Sequence, residues 1–227
     1  MDTLIQLQDI SKWYGKEMIL SDVSLTLNQK EAIAIIGDSG GGKTTLLSIM
    51  GLLQNASAGK VLVEGREINQ LSENEKAFLR SQMFGFVFQR ARLVNYLTAW
   101  ENVLLPSLII RKDKKLAQKG RELLVDFGMG KRLHHKPEQL SLGQLRRVAL
   151  ARALLLEPKI VLADEPTNDL DPKLAGHVAE RLIQARNDGA GVIIVTHDLS
   201  FAIKADKIYR LKDSHLEGPV AADPVIA

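Results

Sequence analysis

This sequence predicts an α/β fold on a largely parallel sheet, with an antiparallel β flank and an inserted α-helical subdomain. Three observations predict it. Glu31 to Ile36 (EAIAII), Lys159 to Ala163 (KIVLA) and Gly191 to Thr196 (GVIIVT) are short, rich in β-branched residues and almost uninterruptedly apolar, as strands buried on both faces must be. Longer helical patterns alternate with them. Between Tyr96 and Pro158, by contrast, every pattern is helical and nothing reads as a strand. Residues 1–94 and 159–227 then form the core with its N-terminal flank, and about 95–158 the insertion, within a single domain.

At the N-terminus, LIQLQDI and SLTL alternate apolar and polar residues, which suits antiparallel strands with one wet face. The strand Glu31 to Ile36 ends at Gly37 and is followed, after a glycine-rich stretch, by the helical run TTLLSIMGLL. Ser72-Glu-Asn-Glu75 and Thr98-Ala-Trp-Glu101 are capping boxes, each opening a helix. Asp171-Pro172 places an N-cap before a proline at the first helical position. The strands Lys159 to Ala163 and Gly191 to Thr196 end at Asp164 and His197. Ligands of open α/β sheets sit beyond the carboxyl ends of the strands, so Gly37, Asp164 and His197 are expected to converge on one site.

The strongest local signal is Gly37-Asp38-Ser39-Gly40-Gly41-Gly42-Lys43-Thr44, the spacing G-x-x-x-x-G-K-[ST] between a buried strand and a helix. Glycines let successive backbone N–H groups turn inward around phosphates, and the helix that follows adds the positive end of its dipole. Lys43 can reach the β- and γ-phosphates of ATP as a point charge, and the Thr44 hydroxyl can take a coordination position on Mg²⁺, next to Thr45. IVLADEP supplies two carboxylates with separate tasks. Asp164 is placed to hold Mg²⁺ directly or through water, and Glu165 to activate a water molecule.

LSLGQLRRVALARAL (Leu140 to Leu154) stands just ahead of IVLADEPTNDLD (Ile160 to Asp171), and with this pairing the chain resembles the ATP-binding cassette (ABC) proteins from Leu4 to about Leu211. The resemblance implies a RecA-like P-loop NTPase core and an ATPase that works as a head-to-tail dimer of cassettes. It implies that Ser141, Gly143 and Gln144 form the signature loop that completes the site of a second cassette. It further implies that Gln89 in FGFVFQ links the Mg²⁺ site to the helical subdomain, that Asn168 to Asp171 contact the other cassette, that His197 is the switch histidine and that Tyr14 stacks on adenine. Read from the residues alone, His197 can bond the γ-phosphate or orient Glu165, Ser141 can bind an anion or simply cap its helix, and Tyr14 competes with Trp13. Leu142 departs from the signature pattern, where glycine is usual. A positive φ there would strain leucine and weaken the phosphate contact.

Within the family, GFVFQRARLVNYLTAWENVLLP and LADEPTNDLD look most like the subfamily serving lipoprotein release, macrolide and peptide export, haem efflux and division-related complexes. The implied partners are a second, identical cassette and a separate integral-membrane permease that docks near Gln89 and the segment 91–106. The implied location is the cytoplasmic face of a membrane. The alternative is a cassette that acts as a regulatory switch on a membrane complex.

Composition fits this reading and removes others. A net charge of +3 is too small to point to nucleic acid as partner, and no coiled-coil insertion of the kind found in DNA-repair relatives is present. The absence of cysteine excludes disulfides, thiolate metal sites and thiol nucleophiles. No apolar stretch is long enough to cross a bilayer, and MDTLIQLQDI has neither a basic n-region nor an unbroken apolar core. The basic residues Arg111, Lys112, Lys114, Lys115, Lys131, Arg132 and Lys136 read as a solvated face.

Overall fold

The computed structural model describes residues 2–110, 114–168 and 170–220; Arg111 and Lys112 of the basic run and Asp169 of the loop beyond Asp164 lie outside them. The chain opens with an antiparallel hairpin of β1 (Thr3–Tyr14) and β2 (Glu17–Asn28). β3 (Ala32–Ile36), with all residues buried, leads into α1 (Lys43–Met50). β4 (Ala58–Val63) and β5 (Arg66–Glu67) return to the hairpin and complete a four-stranded antiparallel sheet in the order β2-β1-β4-β5. The alternation of LIQLQDI and SLTL is thus realised as a sheet with one dry face.

α2 (Glu73–Met83) starts at Ser72, whose hydroxyl accepts from the Glu75 N–H while the Glu75 carboxylate accepts from the Ser72 N–H. It runs directly into β6 (Phe84–Val87), a strand too short to be legible beforehand. α3 (Ala99–Ile110) begins with the Thr98–Glu101 box. α4 (Lys114–Asp126) and α5 (Leu142–Leu154) follow, joined through 3-10 turns at Gly130–Arg132 and Pro137–Gln139. Among the described residues the span 96–158 therefore contains helices and turns but no strand. β7 (Ile160–Asp164) precedes α6 (Pro172–Asn187), capped by the Asp171 side chain on the Leu174 N–H at 3.0 Å. β8 (Gly191–Val195), α7 (Leu199–Ala202), β9 (Lys207–Lys212) and β10 (His215–Val220) complete the chain.

The second sheet has six strands in the order β10-β9-β3-β8-β7-β6. All of its neighbours pair in parallel except β10, which is antiparallel to β9. Successive residues of a strand point to opposite faces, and the central strands use both. Ile33, Ile35, Leu162, Ile193 and Val195 pack on α1 and the antiparallel sheet. Ala32, Val161, Ala163, Val192 and Ile194 pack on the other face against α3, α5 and α6. Two dry faces explain why these strands read as unbroken apolar runs. Each fully buried Leu, Ile or Val contributes roughly 1.5–3 kcal/mol. Burial on both sides fixes the register, so the strand ends that carry Gly37, Asp164 and Thr196-His197 are held at one edge.

Candidate nucleotide site at the carboxyl edge of the parallel sheet

Beyond β3 the chain turns at Gly37, where any Cβ would run into the Leu211 carbonyl of the neighbouring β9. Gly40 (φ 81°) and Gly42 (φ 93°) lie in the left-handed region that glycine adopts without strain. Gly42 is the N-cap of α1, and no side chain caps that helix. Its first-turn N–H groups and dipole are left to a ligand. Lys43 is 7% exposed and folds back over the loop, donating to the carbonyls of Gly37 and Asp38, both at 2.8 Å. The loop is thereby clasped around a buried cation before any phosphate arrives. Ser39 and Gly41 lie on the same loop, which the Gly41 N–H closes on the Asp38 carbonyl at 3.1 Å.

Thr44, in the first turn of α1, donates its hydroxyl to Asp164 Oδ2 at 2.8 Å, which joins the glycine loop to the end of β7. Burial raises the Asp164 carboxyl above its ordinary pKa; the Thr44 hydrogen bond opposes this, the Glu165 charge adds to it, and Lys43 opposes it again. Thr45 follows Thr44 and is half-buried.

Glu165 has φ 47°, a left-handed backbone that a non-glycine residue enters at a cost of about 1–2 kcal/mol. Its N–H continues the ladder to the Val195 carbonyl at 2.8 Å, and its carbonyl accepts from the Asn168 N–H at 3.3 Å, so the turn is held from both sides. The carboxylate is pinned as well. Oε2 accepts from the Thr196 hydroxyl at 3.2 Å and the His197 N–H at 3.4 Å, and Oε1 pairs with His197 Nδ1 at 2.8 Å. A carboxylate only accepts, which places the shared proton on Nδ1. Of the two roles open to His197, orienting Glu165 is the one this arrangement displays. Its side chain is 60% exposed, and Nε2 faces no partner among the described residues.

A cavity of about 640 Å³ is lined by Thr44, Ser48, Gln54, Gln89 and Asp164, so Gln89 stands across from the Thr44–Asp164 pair. A second groove of about 820 Å³ runs from Gln89 past Leu142 to Asn168. Tyr14, half-exposed, is tied to the first cavity through a hydrogen bond from Gln54 Nε2 to its hydroxyl, while Lys12 Nζ lies 5.2 Å from its ring centroid. Trp13 pairs with Met18 and Tyr14 with Glu17 across the hairpin; of the two, Tyr14 is the one bonded to Gln54 of the cavity lining.

Ser141 is the N-cap of α5 and forms a capping box with Gln144: its hydroxyl accepts from the Gln144 N–H, and the Gln144 amide oxygen accepts from the Ser141 N–H. The Gln144 side chain thus fixes Ser141 as the N-cap, while Gly143 and Gln144 themselves lie in the first turn of α5 rather than in a loop. These three residues do not line the Thr44–Asp164 cavity. The expectation about Leu142 is corrected. It is the first residue of α5 and has no positive φ, so leucine is unstrained there, and it stands 72% exposed. Leu142→Gly is therefore expected to leave ATP-induced dimerisation no higher than in the parent chain, and to lower stability by up to about 1 kcal/mol through glycine's helix cost. Gel filtration with ATP and thermal unfolding check this; a clear gain in dimer would restore strain as the explanation.

The left-handed turn at Glu165 and the grip of Lys43 on its own loop are not legible in the sequence. The turn at Glu165 is tied to the Val195 carbonyl of a distant strand, whereas Lys43 reaches back only five and six residues to a loop whose shape the residue types do not specify.

The family described as ABC transporter matches residues 20–168. The chain is similar to the lipoprotein-releasing system ATP-binding protein LolD of Shewanella oneidensis, 42% identical over 227 residues that cover 97% of this chain and 99% of the relative. It is also similar to the macrolide export ATP-binding/permease protein MacB of Mannheimia succiniciproducens, 38% identical over 98% of this chain and 35% of that longer protein. Among solved structures, the dimeric structure of MJ0796, a bacterial ABC transporter cassette, superposes with a TM-score of 0.90 at 36% identity, covering 95% of this chain and 97% of the other. The same cassette in a post-hydrolysis dimer bound to ADP and Pi gives 0.88 at 35% identity, covering 96% of this chain and 100% of the other.

Proposed function

Because this chain belongs to the ABC transporter family, we propose that it is the ATP-hydrolysing subunit of a membrane transporter, working as a dimer of identical cassettes at the cytoplasmic face. The observation that carries the reading is the Glu165 carboxylate, held by His197 and Thr196 beside the Asp164–Thr44 pair at the mouth of the glycine cradle. We assign residues 1–94 and 159–227 to the α/β core with its flank and about 95–158 to the helical subdomain. Similarity to LolD and MacB supports a role in export or mechanical transmission.

In this reading the backbone of Gly37 to Gly42 and the α1 N-terminus cradle the phosphates of ATP, and Lys43 turns its remaining donor toward the β- and γ-oxygens. Tyr14 stacks on the adenine. Mg²⁺ fits the donor set: a hydroxyl and a buried carboxylate are hard oxygen ligands, and a cation would offset the unfavourable burial of the Asp164 charge. Thr44, Asp164 and Gln89 would hold it, and it would supply charge neutralisation on the phosphate oxygens. Glu165 has acceptor capacity left on Oε1 beyond His197, so it can align a water against the γ-phosphate and take its proton. His197 serves this step by holding Glu165 through Nδ1; a bond from its Nε2 to a phosphate oxygen would need a second ring proton, because a neutral ring with Nδ1–H leaves Nε2 an acceptor. Positioning and electrostatics supply the rate, since phosphoryl transfer asks for little covalent chemistry from the protein.

Ser141, Gly143 and the N-terminus of α5 are not part of this chain's own cavity lining, and in this reading they serve the ATP of the other copy. Activity per mole should therefore rise with protein concentration across a dilution series. Phosphate release strictly proportional to protein at every dilution would sink the shared-site reading.

No helix among the described residues is long and apolar enough to cross a membrane; in this reading the transport path belongs to a membrane permease on which the cassette docks. A groove of about 400 Å³ supports its docking place. Phe84, Phe86 and Phe88 stack in a ladder along it, Arg80, Leu105 and Pro106 wall it, and Phe78 and Leu108 stand exposed on the same walling helices. Exposed apolar side chains such as Phe78 and Leu108 beside an aromatic groove fit a protein contact.

A further inference from the structure

The segment after β6 that carries Gln89 has no regular secondary structure, yet its carbonyls are held by one helix. Arg146 Nη2 donates to the Gln89 carbonyl at 2.8 Å. Arg152, one and a half turns further along α5, donates through Nη2 to the Ala91 carbonyl at 2.9 Å and through Nη1 to the Arg92 carbonyl at 3.0 Å. Arg92 in turn lays its guanidinium 4.6 Å from the ring centroid of Phe88, which folds the segment back on the strand it leaves. Hydrogen bonds from a charged donor are roughly twice as strong as neutral ones, and here they act on buried or half-buried arginines. The helix that supplies them is the one that starts at Ser141.

We propose that Arg146 and Arg152 are positioning residues that hold the Gln89–Arg92 segment on α5 and thereby fix where Gln89 stands at the Thr44–Asp164 cavity. The proposal rests on the reading of Gln89 as a member of the nucleotide site. It has a physical consequence on the outer side too. Arg92, Arg152 and Phe88 also line the aromatic groove, so an occupant of that groove would touch the staple directly.

The test is a double-mutant cycle on the full chain, read by steady-state ATPase kinetics, ATP affinity and amide hydrogen exchange without nucleotide. Arg146→Ala is expected to lower kcat about tenfold while ATP affinity stays within about twofold, the loss of one hydrogen bond from a charged donor. In a Gln89→Ala background the same change should alter kcat less than about twofold, because Arg146 acts through Gln89. Exchange across residues 88–94 should speed up about tenfold in Arg146→Ala and in Arg152→Lys, which keeps charge but not the two-pronged geometry. Equal factors in the two backgrounds, or unaltered exchange, would overturn the staple. Should Arg146→Ala lose cooperative thermal unfolding, Arg146→Met carries the same cycle under the same criteria, since methionine keeps much of the side chain's bulk and has no donor. A Gln89→Ala chain that turns over like the parent would remove Gln89 from the site and the staple's role with it, whereas a defective Gln89→Ala chain with full additivity overturns the staple alone.

Discussion

Replacing Glu165 by glutamine is expected to leave ATP binding intact and to lower turnover by about 100-fold or more, the range of a lost general base. Glutamine keeps the size of the side chain and tolerates the left-handed backbone as well as glutamate does, so the turn between Val195 and Asn168 should survive. What disappears is an anion that three donors, Thr196 Oγ1 and the N–H and Nδ1–H of His197, are arranged to hold. The amide can still accept at one atom but cannot take a proton from water. ATP would then remain trapped and the dimer should persist. Gel filtration with and without Mg-ATP, run alongside phosphate release, checks both halves. A Glu165→Gln chain that hydrolyses like the parent would take Glu165 out of the reaction. One that stays monomeric would weaken the dimer reading, because binding without turnover is the condition that should populate it.

Lys43→Ala should fail at the earlier step. Its ammonium is buried, bonded to two carbonyls of its own loop, and aimed to leave a donor for the phosphates. Removing it takes away the cation that meets the β- and γ-oxygens, and it leaves the Gly37 and Asp38 carbonyls without that donor. Charged hydrogen bonds of this kind are worth about 1.5–3 kcal/mol each, so ATP affinity should fall by roughly 10- to 100-fold or more. The nucleotide-free chain should also lose on the order of 1–3 kcal/mol of stability. Calorimetric titration of ATP and thermal unfolding measure the two effects separately, and no ATP-induced dimer should form on gel filtration. Unaltered affinity would show that Lys43 serves only to close its loop. The two substitutions therefore separate binding from chemistry.

The sequence by itself determined the parts of this protein that depend on local pattern. EAIAII, KIVLA and GVIIVT could be read as central strands because burial on two faces leaves no polar position. The Ser72, Thr98 and Asp171 caps were legible because a cap is made within four residues. Gly37 to Thr44 and Asp164-Glu165 were legible for the same reason: backbone freedom, a cation, a hydroxyl and carboxylates are residue types at fixed spacing. β6 escaped because four residues directly after a helix have no periodicity of their own, and β4, β5, β9 and β10 because they are only partly buried and so show no unbroken apolar run.

Only the tertiary structure decided how these parts work together. It set His197 on Glu165, Thr44 on Asp164, Tyr14 beside Gln54, and Arg146 on the Gln89 carbonyl, across separations of 32, 120, 40 and 57 residues. It also decided that Leu142 is an unstrained first residue of a helix, which the motif pattern had left open. Side-chain identity states what a group can donate or accept. Which group lies within 3 Å of it is settled by the register of β7 against β8 and the docking of α5 on β6, and those follow from how two dry faces of one sheet are filled.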